Sequence, residues 1–493
     1  SLVIKWNSLT QFLFLVFFHF SASRNDAVSS YSDKSALLRL KASFSDPAGV
    51  LSTWTSASSS FSTAADDSGH CSFSGVLCDA NSRVVAVNIT GAGAGGNNRT
   101  SPPCSNFSQF PLYGFAIRRT CSGSKGSLFG NASSLSFIAE LTELRVLSLP
   151  FNALEGEIPE AIWGMENLEV LDIEGNLISG YLPFRINGLK NLRVLNLAFN
   201  RIVGEIPSSI GSLERLEVLN LAGNELNGSL PGFVGRLRGV YLSFNQLSGV
   251  IPREIGENCG NLEHLDLSAN SMVQAIPRSL GNCGRLRTLL LYSNLLKEGI
   301  PGELGRLKNL EVLDVSRNTL SGSVPRELGN CLELRVLVLS NLFDPRGDVD
   351  AGDLGKLRSV NDQLNYFEGA MPVEVLSLPK LRILWAPMVN LKGGLQGSWG
   401  GCESLEMVNL AQNFFSGEFP NQLGVCKKLH FVDLSSNNLT GELSEELRVP
   451  CMSVFDVSGN MLSGSVPDFS DNACTPVPSW NGNLFADGSA SLL

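Results

Sequence analysis

The chain has 493 residues, too many for one ordinary compact core, so its length admits either several domains or one extended array of repeats. Forty-nine glycines, an aromatic content of 8% and a leucine-dominated apolar set favour the array, because short strands joined by many tight turns need that composition. A net charge of -10 repels a nucleic-acid partner over most of the surface and leaves basic or neutral partners.

The chain opens with Lys5, an apolar run from Phe12 to Phe20 and the small residues Ser21, Ala22 and Ser23, the layout of a secretory signal peptide over residues 1–28. That run falls short of the ~20 residues a membrane span requires, and no later stretch is long and apolar enough. A membrane contact is therefore expected only through a segment missing from this chain. Export places the 11 cysteines in an oxidising compartment, where pairing is the default. Sequons at Asn88, Asn98, Asn106, Asn131, Asn227 and Asn438 agree with export and predict N-glycosylation.

Residues 29–90 are expected to form an N-terminal cap. Just after the apparent strand Val84 to Ile89, Gly91, Gly93 and Gly96 spell GxGxxG. A sequon and two prolines follow where a phosphate-holding helix would have to start, so no dinucleotide cofactor is expected. Residues 91–134 read instead as a glycosylated insertion loop, with Cys104 and Cys121 available to staple it.

From 135 to 467 the asparagines expose a period: Asn152, Asn176, Asn200, Asn224, Asn245, Asn270, Asn294 and Asn318, then Asn365, Asn413, Asn437 and Asn460, most neighbours 24 apart. Around each lies LxxLxLxxNxLxGxIP, as in Leu168, Leu171, Ile173, Asn176, Gly180 and Pro183. The LxL pair alternates with polar residues, so each repeat makes a short strand with its leucines inward. One such strand cannot bury its apolar face, whereas stacked coils share a core in which each leucine contributes roughly 1.5 to 3 kcal/mol. The asparagine ends the strand, and its amide is expected to bond backbone groups of its own and the adjacent coil. The fold class is thus an α/β-type repeat solenoid with a parallel β-sheet on its concave face. Residues 339–364 form an irregular repeat, and 468–493 an irregular tail that ends without a capping repeat.

Beside the strands runs a charge column, Arg145, Glu169, Arg193, Glu217, Arg238, Glu263, Arg287, Glu311 and Arg335, alternating in sign. At the ~4.8 Å strand spacing each charge would lie between two opposite ones and help fix the register. Cys259, Cys283, Cys331, Cys402 and Cys426 share one repeat position. Those 24 apart either bridge neighbouring coils or fill a small buried site; Cys331 is the expected free thiol, and Cys451 is available to Cys474. The cysteines lack a short CxxC pair and the histidines are dispersed, so no metal site is expected. Asp348, Asp350 and Asp353 resemble the start of a calcium loop, but Ser359 stands where the bidentate glutamate belongs, leaving a solvated acidic loop.

Function is expected on outward strand positions, where a partner meets many coils at once. The residue between the two strand leucines is commonly Asp or Asn but turns aromatic or apolar at Tyr241, Leu290 and Trp385. Exposed aromatics at otherwise polar positions are typical interface anchors. The candidate surface comprises Tyr241, Asp266, Tyr292, Asp314 and Trp385; the alternative is that these residues pack against the irregular loop beside them.

The Gly-x-Ile-Pro repeats resemble the plant-specific class of leucine-rich repeat. Asp33 to Trp54, with Cys71, Phe73, Gly75, Val76 and Cys78, resembles the N-terminal cap of plant receptor-like kinases, with Phe73 in place of the usual tryptophan. That resemblance implies a right-handed superhelical array closed by a helical N-terminal cap, with a helix pair and a Cys71–Cys78 disulfide. The run Leu339 to Pro372, followed by Leu384 to Pro387, resembles receptor-like kinases of the TOADSTOOL type, whose long repeat ectodomain precedes one membrane span and a cytoplasmic serine/threonine kinase. It implies an extracellular ectodomain, truncated before span and kinase, that meets a peptide ligand or another receptor ectodomain in developmental signalling. No HRD or DFG motif is present, so no catalytic residue is assigned. Two rival classes are a secreted inhibitor of a wall-degrading enzyme and, supported only by scattered carboxylates, a glycan hydrolase.

Overall fold

The computed structural model describes residues 30–56, 68–91, 127–186, 188–340, 365–395, 397, 399, 402–447, 452–467 and 477–485. The expected signal peptide, the sequons Asn98 and Asn106, the pairs Cys104 with Cys121 and Cys451 with Cys474, and the acidic loop of Asp348, Asp350 and Asp353 lie outside the described residues. The chain divides into two units, Ser1–Asn227 and Gly228–Leu493.

In the first unit the helix Ser30–Ser43 closes the core. Its Asp33 is buried, which a carboxylate tolerates only when paired: Oδ2 accepts from Arg83 Nε at 3.0 Å and from the Val84 amide at 3.0 Å. Trp54 stacks on Phe73 with ring centroids 5.7 Å apart and donates Nε1–H to the Ser74 carbonyl. The described part of the cap consists of one α-helix and a 3-10 turn at Ser68–Ser72. Strand Val76–Cys78 pairs antiparallel with Val84–Asn88. Val146–Ser148, Val170–Asp172, Val194–Asn196 and Val218–Asn220 follow in parallel.

The second unit repeats the pattern through Gly239–Tyr241, His264–Asp266, Thr288–Leu290, Val312–Asp314, Val336–Val338, Ile383–Trp385, Met407–Asn409, Phe431–Asp433, Val454–Asp456 and Val477–Ser479, all parallel. Middle residues such as Leu265, Leu289, Leu313 and Leu337 are fully buried. The strands stop at three residues because the polar residue that ends many of them caps its own turn. Asp314 Oδ1 accepts the Ser316 amide at 2.9 Å, and Asp433, Asp456, Asn196 and Asn409 repeat the bond.

The asparagine ladder is built as its chemistry requires. Asn318 Nδ2 donates to Val315 O, Ser316 O and the Leu291 O of the preceding coil, while its Oδ1 accepts the Leu296 amide. Asn365 takes the same place after the irregular segment, donating to Leu339 O and Val315 O. It lies 26 residues beyond its own-coil acceptor where Asn318 lies 3 beyond, so that coil carries an insertion of 23 residues at the turn leaving the sheet. The array also extends past both expected limits. Phe129–Asn131 already pairs with Ala153–Gly156, and Asn483 adds a ladder rung inside the expected tail, donating to Val457 O and Trp480 O.

Opposite the sheet, prolines preset the entry to short helical turns, as Pro301 does for Gly302–Arg306. Coils approach closely there: a Cβ on Gly305 would lie 2.2 Å from the Glu327 carbonyl oxygen. At the turn before most ladder asparagines the backbone takes positive φ, as at Phe151 (+57°) and Gly175 (+68°). The Phe151 ring covers the next coil's glycine, leaving no room for a side chain at Gly175.

Candidate partner-binding face

In the second unit the parallel register sets the outward residues in two rows. The rows' first members are Gly239, His264, Thr288 and Val312, and Tyr241, Asp266, Leu290 and Asp314. Tyr241, His264, Asp266, Thr288 and Leu290 are half-buried, a contiguous patch open to solvent. The Tyr241 ring stacks on the His264 imidazole, with centroids 6.2 Å apart, and His264 Nδ1 meets Thr288 Oγ1 at 3.1 Å. Burial is the main cause that pulls the His264 pKa down; Glu263 opposes it, and Arg287 and Arg238 add to it. Burial likewise pushes Asp266 up against the bonds it accepts from Ser268 and Ser243.

Three of the five expected anchors do not stand free. Tyr292 is 4% exposed, Trp385 3% and Asp314 0%, which corrects the expectation of exposed side chains. The reasons are geometric. Tyr292 lies two residues past its strand, edge-on to Phe244 with centroids 6.4 Å apart; Trp385 tilts onto Phe431 at 5.4 Å; Asp314 turns back to cap its own turn. Tyr292 has its phenol pushed well above its ordinary range, by burial first and then by Asp266 and Asp314. Sequence reasoning missed His264 and Thr288, which precede the strand leucine by one position, although a histidine breaking a row of valines was a readable signal.

The charge column forms pairs: Arg145 with Glu169 at 3.9 Å, Arg193 with Glu217 at 2.7 Å, Arg238 with Glu263 at 3.0 Å and Arg382 with Glu406 at 2.8 Å. Glu311 holds both Arg287 and Arg335. Alternation fails after the insertion, where the Arg382 amide donates to the Arg335 carbonyl and sets two arginines side by side. Disulfides join Cys71 to Cys78, Cys259 to Cys283 and Cys402 to Cys426, and Cys331 is a buried free thiol pushed up to about 11 by burial. His70 lies beside the first pair with its Nε2 on Ser82 O at 3.0 Å; those sulfurs are bonded to each other, so the trio is not a metal centre in this state. Asn88, Asn131, Asn227 and Asn438 are exposed. Among the described residues no helix is long and apolar enough to cross a membrane.

The leucine-rich-repeat N-terminal domain family matches residues 30–79, and leucine-rich-repeat families match 190–234, 236–258, 261–283, 309–331 and 428–449. A curated Arabidopsis thaliana relative, probable LRR receptor-like serine/threonine-protein kinase RPK1, is 41% identical over 160 residues, 32% of this chain and 26% of that protein. The chain therefore matches about a quarter of that relative's length. Among solved structures, PEPR1-AtPEP1 superposes with a TM-score of 0.66 at 27% identity, covering 92% of this chain and 59% of that one. The Arabidopsis receptor kinase HAESA, in complex with the peptide hormone IDA and the co-receptor SERK1, gives 0.62 at 26% identity, covering 92% and 74%. Cap, repeat signature and coil geometry agree: the chain carries a leucine-rich-repeat N-terminal domain and leucine-rich repeats, and is similar to the ectodomains of plant receptor kinases.

Proposed function

We propose that this chain is the extracellular ligand- and co-receptor-binding region of a plant cell-surface receptor-like serine/threonine kinase. In this reading it acts in peptide-dependent developmental signalling and binds rather than catalyses. The observation that carries the reading is the open patch of Tyr241, His264, Asp266, Thr288 and Leu290 on a rigid parallel sheet. An extended peptide laid across neighbouring strands meets an aromatic face, a carboxylate and an aliphatic side chain in register, with no backbone ordering left for the receptor to supply. Asp314, in register with Leu290, flanks that patch, whereas Trp385 packs on Phe431 further along the sheet. Similarity to HAESA, solved in complex with the peptide hormone IDA, supports the same class of ligand. The TOADSTOOL-type assignment rests on Leu339 to Pro372 and Leu384 to Pro387. The test is binding of the secreted chain to a panel of synthetic secreted-type peptides, each with and without candidate co-receptor ectodomains. Saturable binding of a peptide supports the proposal; no binding by a correctly folded, disulfide-bonded chain to any member counts against it.

A further inference from the structure

Three side chains of the first unit's cap stand together, and peptide binding uses none of them. A ring nitrogen of His70 and the sulfurs of Cys71 and Cys78 lie within 4.8 Å of one another, and among the described residues no carboxylate joins them. The Cys71–Cys78 bond ties the 3-10 turn Ser68–Ser72 to the first strand of the sheet, Val76–Cys78. His70 is fully buried, whereas both cysteines are half-buried and within reach of a reagent in solvent. His70 Nε2 stands 3.0 Å from the Ser82 carbonyl oxygen, which can only accept, so Nε2 carries the proton. Nδ1 is then a buried acceptor, and nothing in the disulfide-bonded state donates to it. The charged groups of the neighbouring turn are committed elsewhere: Asp79 Oδ1 accepts the Asn81 and Arg83 amides, each at 2.9 Å, and the Arg83 guanidinium holds Asp33. A disulfide sulfur has no proton to donate, but a thiol has one. Opening the bond therefore satisfies Nδ1 and sets an imidazole beside the thiolate that leaves. The other disulfides differ. Cys259–Cys283 is buried, and Cys402–Cys426, although Cys402 is half-buried, has no imidazole in range among the described residues.

We infer that His70, Cys71 and Cys78 form a thiol-exchange site at which a dithiol reductant opens the cap. One thiolate of the dithiol attacks a sulfur of the pair; the S–S bond breaks and the other cysteine leaves as a thiolate. The second thiolate of the dithiol attacks the mixed disulfide, and the second cysteine leaves. The dithiol gives up two electrons and becomes a disulfide. Its two protons end on Cys71 and Cys78, one of them shared with His70 Nδ1. The turn Ser68–Ser72 is thereby released from the first strand, so the cap has a closed, oxidised form and an open, reduced one. The site stands on the cap's own geometry and is independent of peptide binding.

The experiment exposes the full secreted chain to dithiothreitol with a chelator present, quenches with acid at intervals, and counts each opened pair by differential alkylation and peptide mass spectrometry. Cys71–Cys78 should open at least about tenfold faster than Cys402–Cys426. His70→Gln keeps an N–H for the Ser82 carbonyl and removes the Nδ1 acceptor, so its Cys71–Cys78 bond should open several-fold more slowly than in wild type. In the reduced wild type, the iodoacetamide rate of the faster of Cys71 and Cys78 should fall less than about threefold from pH 8 to pH 6, where an unassisted thiol falls roughly tenfold per unit. Either of the other disulfides opening first overturns the inference, as do equal opening rates in wild type and His70→Gln. The pH profile needs no variant: a tenfold fall per unit in the wild type overturns the inference even if His70→Gln fails to fold.

Discussion

Replacing Asn318 by alanine isolates what one rung of the ladder contributes. The side chain donates to three carbonyls, but each keeps another donor: Leu291 O has Asn294 at 3.2 Å, Val315 O has Asn365 at 2.8 Å and Ser316 O has the Ser293 amide at 3.0 Å. The Leu296 amide is different, because the 3.0 Å bond to Asn318 Oδ1 is its bond to the ladder. The loss is therefore dominated by one buried orphan N–H, about 2 to 3 kcal/mol, with little added by the carbonyls. Asn318→Asp keeps that acceptor yet sets a carboxylate against three carbonyls, so it should cost more at neutral pH and less once the carboxyl is protonated. Urea unfolding with disulfides intact measures the totals, and hydrogen exchange at the Leu296 amide reports the local opening. Asn438→Ala, on the surface, should stay within about 0.5 kcal/mol of wild type. Equal losses for Asn318→Ala and Asn438→Ala would refute the reasoning.

Glu311→Arg meets two arginines and should lower stability by about 1 to 2 kcal/mol at low salt, shrinking at high salt, whereas Glu166→Arg at the exposed pair with Lys190 should cost less than about 1; thermal unfolding at two ionic strengths compares them. Cys283→Ser opens a link between residues 24 apart and should cost about 3 kcal/mol in urea unfolding. The Cys331 thiol should resist iodoacetamide until the chain unfolds, since burial holds its pKa at about 11. Burial raises Asp172 from 3.8 to about 6, and burial with the Asp172 charge raises Glu174 to about 7. Their folded forms hold protons more tightly than the unfolded chain, so this contribution is full below about pH 4 and is lost as pH rises through 6 to 7. Asp172→Asn should flatten that decline, by at most about 3 kcal/mol at about 1.4 per unit, and an unchanged slope of stability against pH would contradict the assignment.

The repeat was legible because each leucine and asparagine does a job that only a stack permits. Residues 170 to 176 alone show the inward pair Leu171 and Ile173 and the amide of Asn176 that ends the turn. Asn483 escaped notice because Pro478 occupies the place of its strand leucine, so the rung is visible only through its bonds to Val457 and Trp480. The binding face was half legible. Spacing placed Tyr241 and Asp266 on the sheet correctly, but no one-dimensional pattern showed that Trp385 leans on Phe431 or that Asp314 caps its own turn. Outward in sequence register is not the same as exposed, because side chains on strands ~4.8 Å apart bury one another.

The decisive measurement is calorimetric titration of a bound peptide into three proteins: wild type, Tyr241→Ala with His264→Ala, and Lys308→Ala beside a turn opposite the sheet. If the sheet face grips the ligand, the double variant should lose at least about tenfold in affinity, about 1.4 kcal/mol, while Lys308→Ala binds as wild type. Undiminished affinity in the double variant with loss in Lys308→Ala would place the site on the other side of the coil and contradict the account.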